Sequence, residues 1–367
     1  MTRRRYENCF GGEAGSSMQG NKIQRINMIS GYLKEHFGVK LALDGGFTCP
    51  NRDGSKGVGG CIFCSADGSG EFAGSIPSQI ALLSKKWPCA KYIAYFQNHT
   101  NTYAPVSELR EKFTAALNYK FESGTEYPEI VGLAIATRPD CLNDEIYEFL
   151  YELSQKTFLW VELGLQSIHE QTGSTINRCH SLDVYDNAVN RLAALGIRTV
   201  THLIFGLPKK INADGSVIPE TREEMLASVR HICRALPAAE TAPRPDYALS
   251  ASVSEASLSS NSLNVSQSLC GRHIFGIKLH MLNIVRGSQM EYLCPNYIPF
   301  SNIDEYTDLV VDALKIIPRD ITVHRMSADA PRSILIAPEW SYKKRTILNS
   351  IHRKMAERNI YQGQDAE

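Results

Sequence analysis

What the chain lacks narrows its class first. No apolar run in its 367 residues approaches the roughly 20 that a membrane-crossing helix needs, so no membrane partner is expected. An excess of one charge is also missing. Lysine plus arginine (39) equals aspartate plus glutamate (39), so no net field draws in nucleic acid or anionic lipid, although local patches could. The opening MTRRRYENCFGG has an arginine cluster but no apolar segment behind it, so it is not read as an export signal. A soluble cytoplasmic protein is the expectation. Ten cysteines are present, at 9, 49, 61, 64, 89, 141, 179, 233, 270 and 294, too scattered for a disulfide scaffold. In a reducing compartment, thiols that do cluster point to metal or catalysis.

Short apolar runs alternate with amphipathic segments over most of the chain. The runs are 39–46, 91–98, 129–140, 158–167, 197–208, 274–282 and 319–326. Helical periodicity marks 23–37, 107–117, 144–155 and 221–236, the last with a capping box of Thr221 and Glu224. Continuously apolar strands between such helices predict a parallel sheet covered on both faces. Six or seven units fit a complete or partial β/α barrel, with a doubly wound open sheet as the alternative. In either fold, chemistry gathers at the carboxyl ends of the strands. Residues 1–22 read as a disordered extension and 23–340 as the barrel domain, with 341–367 a C-terminal helix and tail. Within the domain, the serine-rich 239–273 reads as a disordered insertion, and 209–220 interrupts a short strand-to-helix turn.

Directly after the first predicted strand comes CPNRDGSKGVGGCIFC, with cysteines 49, 61 and 64 spaced C-x11-C-x2-C among four glycines. A closed zinc site wants four ligands, and only Cys61 and Cys64 form a CxxC pair, so zinc needs a remote fourth ligand. Buried structural thiols would explain Cys141, Cys179 and Cys233, but explain poorly three cysteines in one glycine-rich loop. A [4Fe–4S] cluster with three thiolates leaves one iron open to an exchangeable ligand, and glycines let the loop approach it closely.

This loop, so placed, resembles the radical S-adenosylmethionine (SAM) superfamily, although the common spacing there is CxxxCxxC. A long first gap occurs in the branch of the Elongator catalytic subunit. LDGGFTCPNRDGSKGVGGCIFC, NTYAP (101–105), ATRPDCL (136–142), VELGLQS (161–167), VHRMSADAPR (323–332) and LIAPEWS (335–341) together resemble the YhcC-type family of radical SAM proteins. The resemblance implies a partial (β/α)6-type barrel with an N-terminal helix and a C-terminal extension. It also implies a [4Fe–4S] cluster on Cys49, Cys61 and Cys64, SAM on the open iron, and a reductant such as flavodoxin or ferredoxin. In the related oxygen-independent coproporphyrinogen oxidases a glutamine of the GLQS motif, and an arginine twelve residues later, contact SAM. The matching residues here are Gln166 and Arg178.

Other polar residues fall at strand ends or in strands: Gln97, Asn98, His99, Arg138, Asp140, His202, His280, His324 and Arg325. Singly, a strand histidine is more often a satisfied structural residue; several facing inward would make a polar pocket. The segment SYKKRTILNSIHRKMAERN carries an apolar stripe of Ile347, Leu348, Ile351 and Met355 between basic residues. It reads as a docked surface helix, or as a basic edge for tRNA phosphates. The rival from another class is an RNA-binding protein with a structural zinc loop.

Overall fold

The computed structural model describes residues 25–36, 38–65, 68, 70–84, 91–121, 129–236, 273–328 and 330–366. The extension 1–22, nearly all of the insertion 239–273, and Cys9, Cys89 and Cys270 lie outside the described residues.

Seven strands form one parallel sheet: β1 (Val39–Leu43), β2 (Tyr92–Phe96), β3 (Ile130–Thr137), β4 (Phe158–Gln166), β5 (Arg198–Phe205), β6 (Gly276–Met281) and β7 (Thr322–Arg325). Their order in the sheet is their order in the chain. Each of the seven apolar runs became a strand, and the sheet curls into a partial β/α barrel. Alternation along each strand sends one set of side chains outward to the helices and the other into the barrel.

The outer layer is apolar. After α2 (Ile76–Leu83), α3 (Val106–Leu117) contributes Leu109 and Phe113, and α4 (Asp144–Ser154) contributes Phe149 and Leu150, in one core with outward residues such as Val161 and Leu163. α4 begins where Asn143 accepts a hydrogen bond from the Ile146 amide at 2.9 Å. The expected capping box is present at α6 (Arg222–Ile232), with α5 (Leu182–Ala194) preceding it in the chain. The interruption at 209–220 contains an antiparallel hairpin, Pro208–Ile211 against Val217–Pro219.

The mouth at the amino ends of the strands is plugged by α1 (Ile29–His36). Ile29 and Leu33 pack inside the barrel on Ile93, Trp160 and Val200, while Tyr32 stacks on Phe158 at 5.9 Å. Two distant segments clasp beneath it. Gln362 donates from its amide nitrogen to Arg25 O and accepts from the Asn27 amide, both at 2.8 Å. The buried Gln362 side chain also donates to Pro318 O (2.8 Å) and Ile321 O (2.7 Å).

The C-terminal helix α8 (Lys344–Glu357) docks through Ile347, Ile351 and Met355 on the same outer core as α7 (Ile303–Ile316). Lys343, Lys344, Arg345 and Arg353 are exposed, and two other basic residues are committed within the protein. Lys354 is buried and pairs with Asp304 and Asp308 at 3.0 Å each, and Arg358 pairs with Asp308 at 2.7 Å.

Candidate functional site

At the carboxyl ends of the strands lies a cavity of about 250 Å³, bordered by Cys49, Cys61 and Cys64 above and by inward residues of β2 to β7 below. The loop that carries the cysteines is held by its own backbone and by several distant partners. Gly60 donates to Asn51 O at 2.7 Å, and Gly59 and Gly60 both take φ +80°, a conformation glycine adopts without steric cost. Asn51, fully buried, donates to Asn177 O and also points a donor at Cys61 Sγ, 3.5 Å away. Asn177 in turn donates to Gly60 O at 2.7 Å, and Ile62 N to Ile176 O at 3.1 Å. The cysteine loop is thus laced to the segment following β4. A side chain at Gly57 would collide with Asn51, since its Cβ would lie 2.1 Å from Oδ1.

None of the three cysteines is in a disulfide, and all three are partly accessible. Among the described residues, no three His, Cys, Asp or Glu side chains converge tightly enough to grip a single metal ion. A tetrahedral zinc ion demands that convergence, with sulfurs about 2.3 Å from one centre. A cubane cluster does not, because each thiolate takes a different iron.

Charges around the cysteines are arranged in pairs. Arg138, at the end of β3, grips Asp140 in a two-pronged ion pair, 2.9 Å at each contact, and Lys56 of the cysteine loop meets the same carboxylate at 2.9 Å. The positive field of Arg138 also reaches Cys49 and Cys61. His180 borders the same cavity; burial, then the charge of Arg178, pushes it down to about 4, so it is neutral near pH 7. Asn101, from the NTYAP segment, is fully buried and donates to Phe96 O, Asn98 O and Ala136 O. It ties the ends of β2 and β3 together.

Gln166 and Arg178 both border the cavity, in unlike states. Gln166 ends β4 at φ +66°, and its buried Oε1 has no protein partner. Arg178, 1% exposed, has its donors engaged by the protein itself. Nη1 donates to Leu165 O (3.1 Å) and Ser167 O, Nε to His180 O (2.8 Å), and Nη2 to Glu170 (3.3 Å). The two carbonyls held by Nη1 flank Gln166. Arg178 therefore clamps the left-handed turn that aims the glutamine.

Lower in the barrel, β4 supplies a buried carboxylate. Glu162 accepts from Trp160 Nε1 (2.8 Å), His202 Nε2 (2.9 Å) and the ammonium of Lys278, which also donates to Tyr95 OH at 2.9 Å. Burial works to raise the Glu162 carboxyl, but the charge of Lys278, then His202 and Lys40, hold it well below the usual carboxylate range. His202 is satisfied, as a structural strand histidine should be. Nε2 of His280 and Nδ1 of His324 are buried with no protein partner. Arg325 also borders the cavity.

The sequence missed Asn51 and Asn177, and placed one cysteine wrongly. Cys141 and Cys233 are buried, as expected of structural thiols, but Cys179 is exposed at φ +61° beside the cysteine loop. Cys179 sits with Asn177 in a separate turn of positive φ after the helix Glu170–Thr175, a reversal that periodicity does not reveal.

Residues 51–214 match the family model described as the radical SAM superfamily, and 274–357 the one described as the radical SAM C-terminal domain. The chain is 38% identical over 355 residues to the uncharacterized protein YtqA of Bacillus subtilis, covering 94% of this chain and 93% of that one. It is 31% identical to protein YhcC of Escherichia coli K12, covering 94% and 96%. Among solved structures it superposes on the Elp3 protein of the archaeon Methanocaldococcus infernus with a TM-score of 0.58 and 16% identity. That superposition takes in 89% of this chain and 64% of the archaeal one, and speaks for the fold alone.

Proposed function

Because the chain belongs to the radical SAM superfamily and is an enzyme of that kind, we propose that Cys49, Cys61 and Cys64 hold a [4Fe–4S] cluster with one iron left for SAM. The observation that carries this reading is that three cysteines of one glycine-rich loop, none in a disulfide, border one cavity at the carboxyl ends of the strands. The chemistry a bound cluster supplies is one-electron cleavage of SAM to methionine and a 5′-deoxyadenosyl radical, which takes a hydrogen atom from the substrate.

The protein's own residues supply the rest. Cys64 and then burial push the Cys61 thiol well above its ordinary range, and against them Arg138 lends positive charge and Asn51 an N–H that favour thiolate. Gln166 presents an unpartnered amide oxygen to the cavity, fit for an amine or hydroxyl of SAM. Arg178 fixes that glutamine and, bordering the same cavity, would lend its positive charge to a bound SAM. The plug formed by α1 closes one mouth of the barrel, so a reactive radical meets little water. A flavodoxin or ferredoxin would donate the electron, in a reducing compartment such as the cytoplasm. Lys354 and Arg358 are paired to aspartates, while Lys343, Lys344, Arg345 and Arg353 stay exposed, so a tRNA remains a candidate substrate beside a small molecule entering the barrel cavity.

The test is anaerobic reconstitution with iron and sulfide, then dithionite and SAM. A brown protein that releases 5′-deoxyadenosine is expected. A colourless, zinc-loaded protein that leaves SAM intact would sink the proposal and favour the structural-zinc alternative.

A further inference from the structure

Gln166 holds φ +66°, a left-handed conformation that a residue other than glycine keeps only where its surroundings enforce it. Arg178 enforces it from one side, through the carbonyls of Leu165 and Ser167. On the other side stands a buried acid with no part in the chemistry proposed above. Glu220, two residues before α6, is 4% exposed, and its carboxylate accepts from the hydroxyl of the fully buried Ser167. That hydroxyl has one proton, given to Glu220, and it accepts from the His169 amide at 3.0 Å, so its rotamer is fixed. Two further contacts join the same turn to the same helix. Ile168 N donates to Ser228 Oγ at 3.3 Å, and His169 Nε2 lies 3.0 Å from Glu224 O. The backbone of Glu220 is anchored just past β5, where its N–H donates to Leu207 O at 3.0 Å.

A buried carboxyl is unfavourable for folding, and burial raises this one above its ordinary range against the opposing pull of the Ser167 hydroxyl. An apolar side chain of similar volume would dock α6 on the barrel at least as well. The acid makes sense through what it grips, the residue directly after Gln166. Its charge also reaches Arg178, so two groups of opposite sign hold one turn between them.

We propose that Glu220 is a positioning residue for the cofactor: through Ser167 it holds the turn that presents the unpartnered Gln166 amide to the cavity, opposite the grip of Arg178. The inference rests on the radical SAM reading for the identity of the ligand, whereas the clamp rests on the contacts just given. Glu220 is not among the residues that border the cavity, so it acts only through Ser167 and Gln166. What Ser167 needs from it is an acceptor oxygen, which an amide also supplies.

Two measurements on the reconstituted full chain test this. Amide exchange read by mass spectrometry on peptides covering 164–172 reports the turn without any cofactor. Equilibrium dialysis of SAM, with iron measured in parallel, reports what the turn is for. Glu220→Ala should speed exchange in 164–172 and leave β3 unchanged. It should also weaken SAM by up to about tenfold at equal iron, approaching the loss expected of Gln166→Ala. Glu220→Gln should restore both. In a Gln166→Ala background, Glu220→Ala should weaken SAM no further, because the group it positions is gone. A merely structural carboxylate would lower affinity by the same factor in both backgrounds. If Glu220→Ala fails to fold by circular dichroism, Ser167→Ala removes the same link and takes its place. Unchanged exchange, unchanged SAM affinity, a loss that Glu220→Gln does not restore, or an equal loss in both backgrounds overturns the inference. A wild type that holds iron and binds no SAM sinks the radical SAM proposal instead. Faster exchange in Glu220→Ala would then still uphold the clamp, and unchanged exchange would overturn it.

Discussion

Along β4, Leu159, Val161, Leu163 and Leu165 face the helices with at most 2% of their surface exposed, while Trp160, Glu162, Gly164 and Gln166 look into the barrel. Eight consecutive residues thus serve two environments, one dry and hydrocarbon, the other polar. The outward set is interchangeable in kind, since any well-packed apolar side chain would do. The inward set is not: an indole N–H, a carboxylate, a glycine and an amide each meet a specific neighbour. Gly164 illustrates this, because a Cβ there would lie 2.6 Å from Gln166 Nε2. Stability resides mainly on the outer face, and chemistry on the inner one.

The contrast can be broken most sharply with the same residue type in both places. Cys61→Ala should abolish the brown colour and bound iron after reconstitution, while Cys233→Ala, in the outer core, should leave both intact. Equal iron loss in the two variants would mean that the cavity does not own the cluster. A purely outer lesion comes next. Leu163→Ala should destabilise the fold by about 2–5 kcal/mol in chemical denaturation yet keep iron and SAM cleavage per folded molecule.

Acid should then act on the inner face. Burial first, then the Lys278 charge, push His202 from 6.5 to about 4, so the native ring stays neutral while the unfolded one takes a proton. The stabilisation is complete above pH 6.5 and drains away as pH falls toward about 4. The loss is roughly 1–3 kcal/mol, discounted because the ring is partly exposed. Denaturation midpoints across that range should show it, and His202→Asn should flatten the slope. Smallest is Gln166→Ala, which should lower SAM affinity by up to about tenfold, the worth of one neutral hydrogen bond, with iron content unchanged. Equal SAM affinity in variant and wild type would remove Gln166 from the cofactor site.

The outer face was the legible one. All seven strands, the helix at 144–155 and the Thr221–Glu224 capping box follow from period and local chemistry, and each is present. The cysteine loop was legible because three sulfurs among glycines have few other uses. What was hidden depends on pairs far apart in the chain. Asn51 meets Asn177 across 126 positions, and neither asparagine stands out in its own segment. Arg178 reads as a free fork until the curl of the sheet puts two carbonyls and Glu170 in its reach. The helix before β1 was recognised by its spacing, but its place inside the barrel was set by aromatic partners on β4 and beside β6.

The clasp between Arg25–Asn27 and Ile360–Gln362 has a consequence in time. Neighbouring strands in this sheet are neighbours in sequence, so the curled layer can assemble stepwise through fairly local loops. The clasp spans some 335 positions, the longest closure in the barrel, and little of it repays the chain entropy until everything between is in place. It should be the last contact to form and the first to open. Amide exchange at Asn27 and Gln362 ought then to outpace exchange in β3 and β4, making the sealed end of the barrel its kinetically softest part.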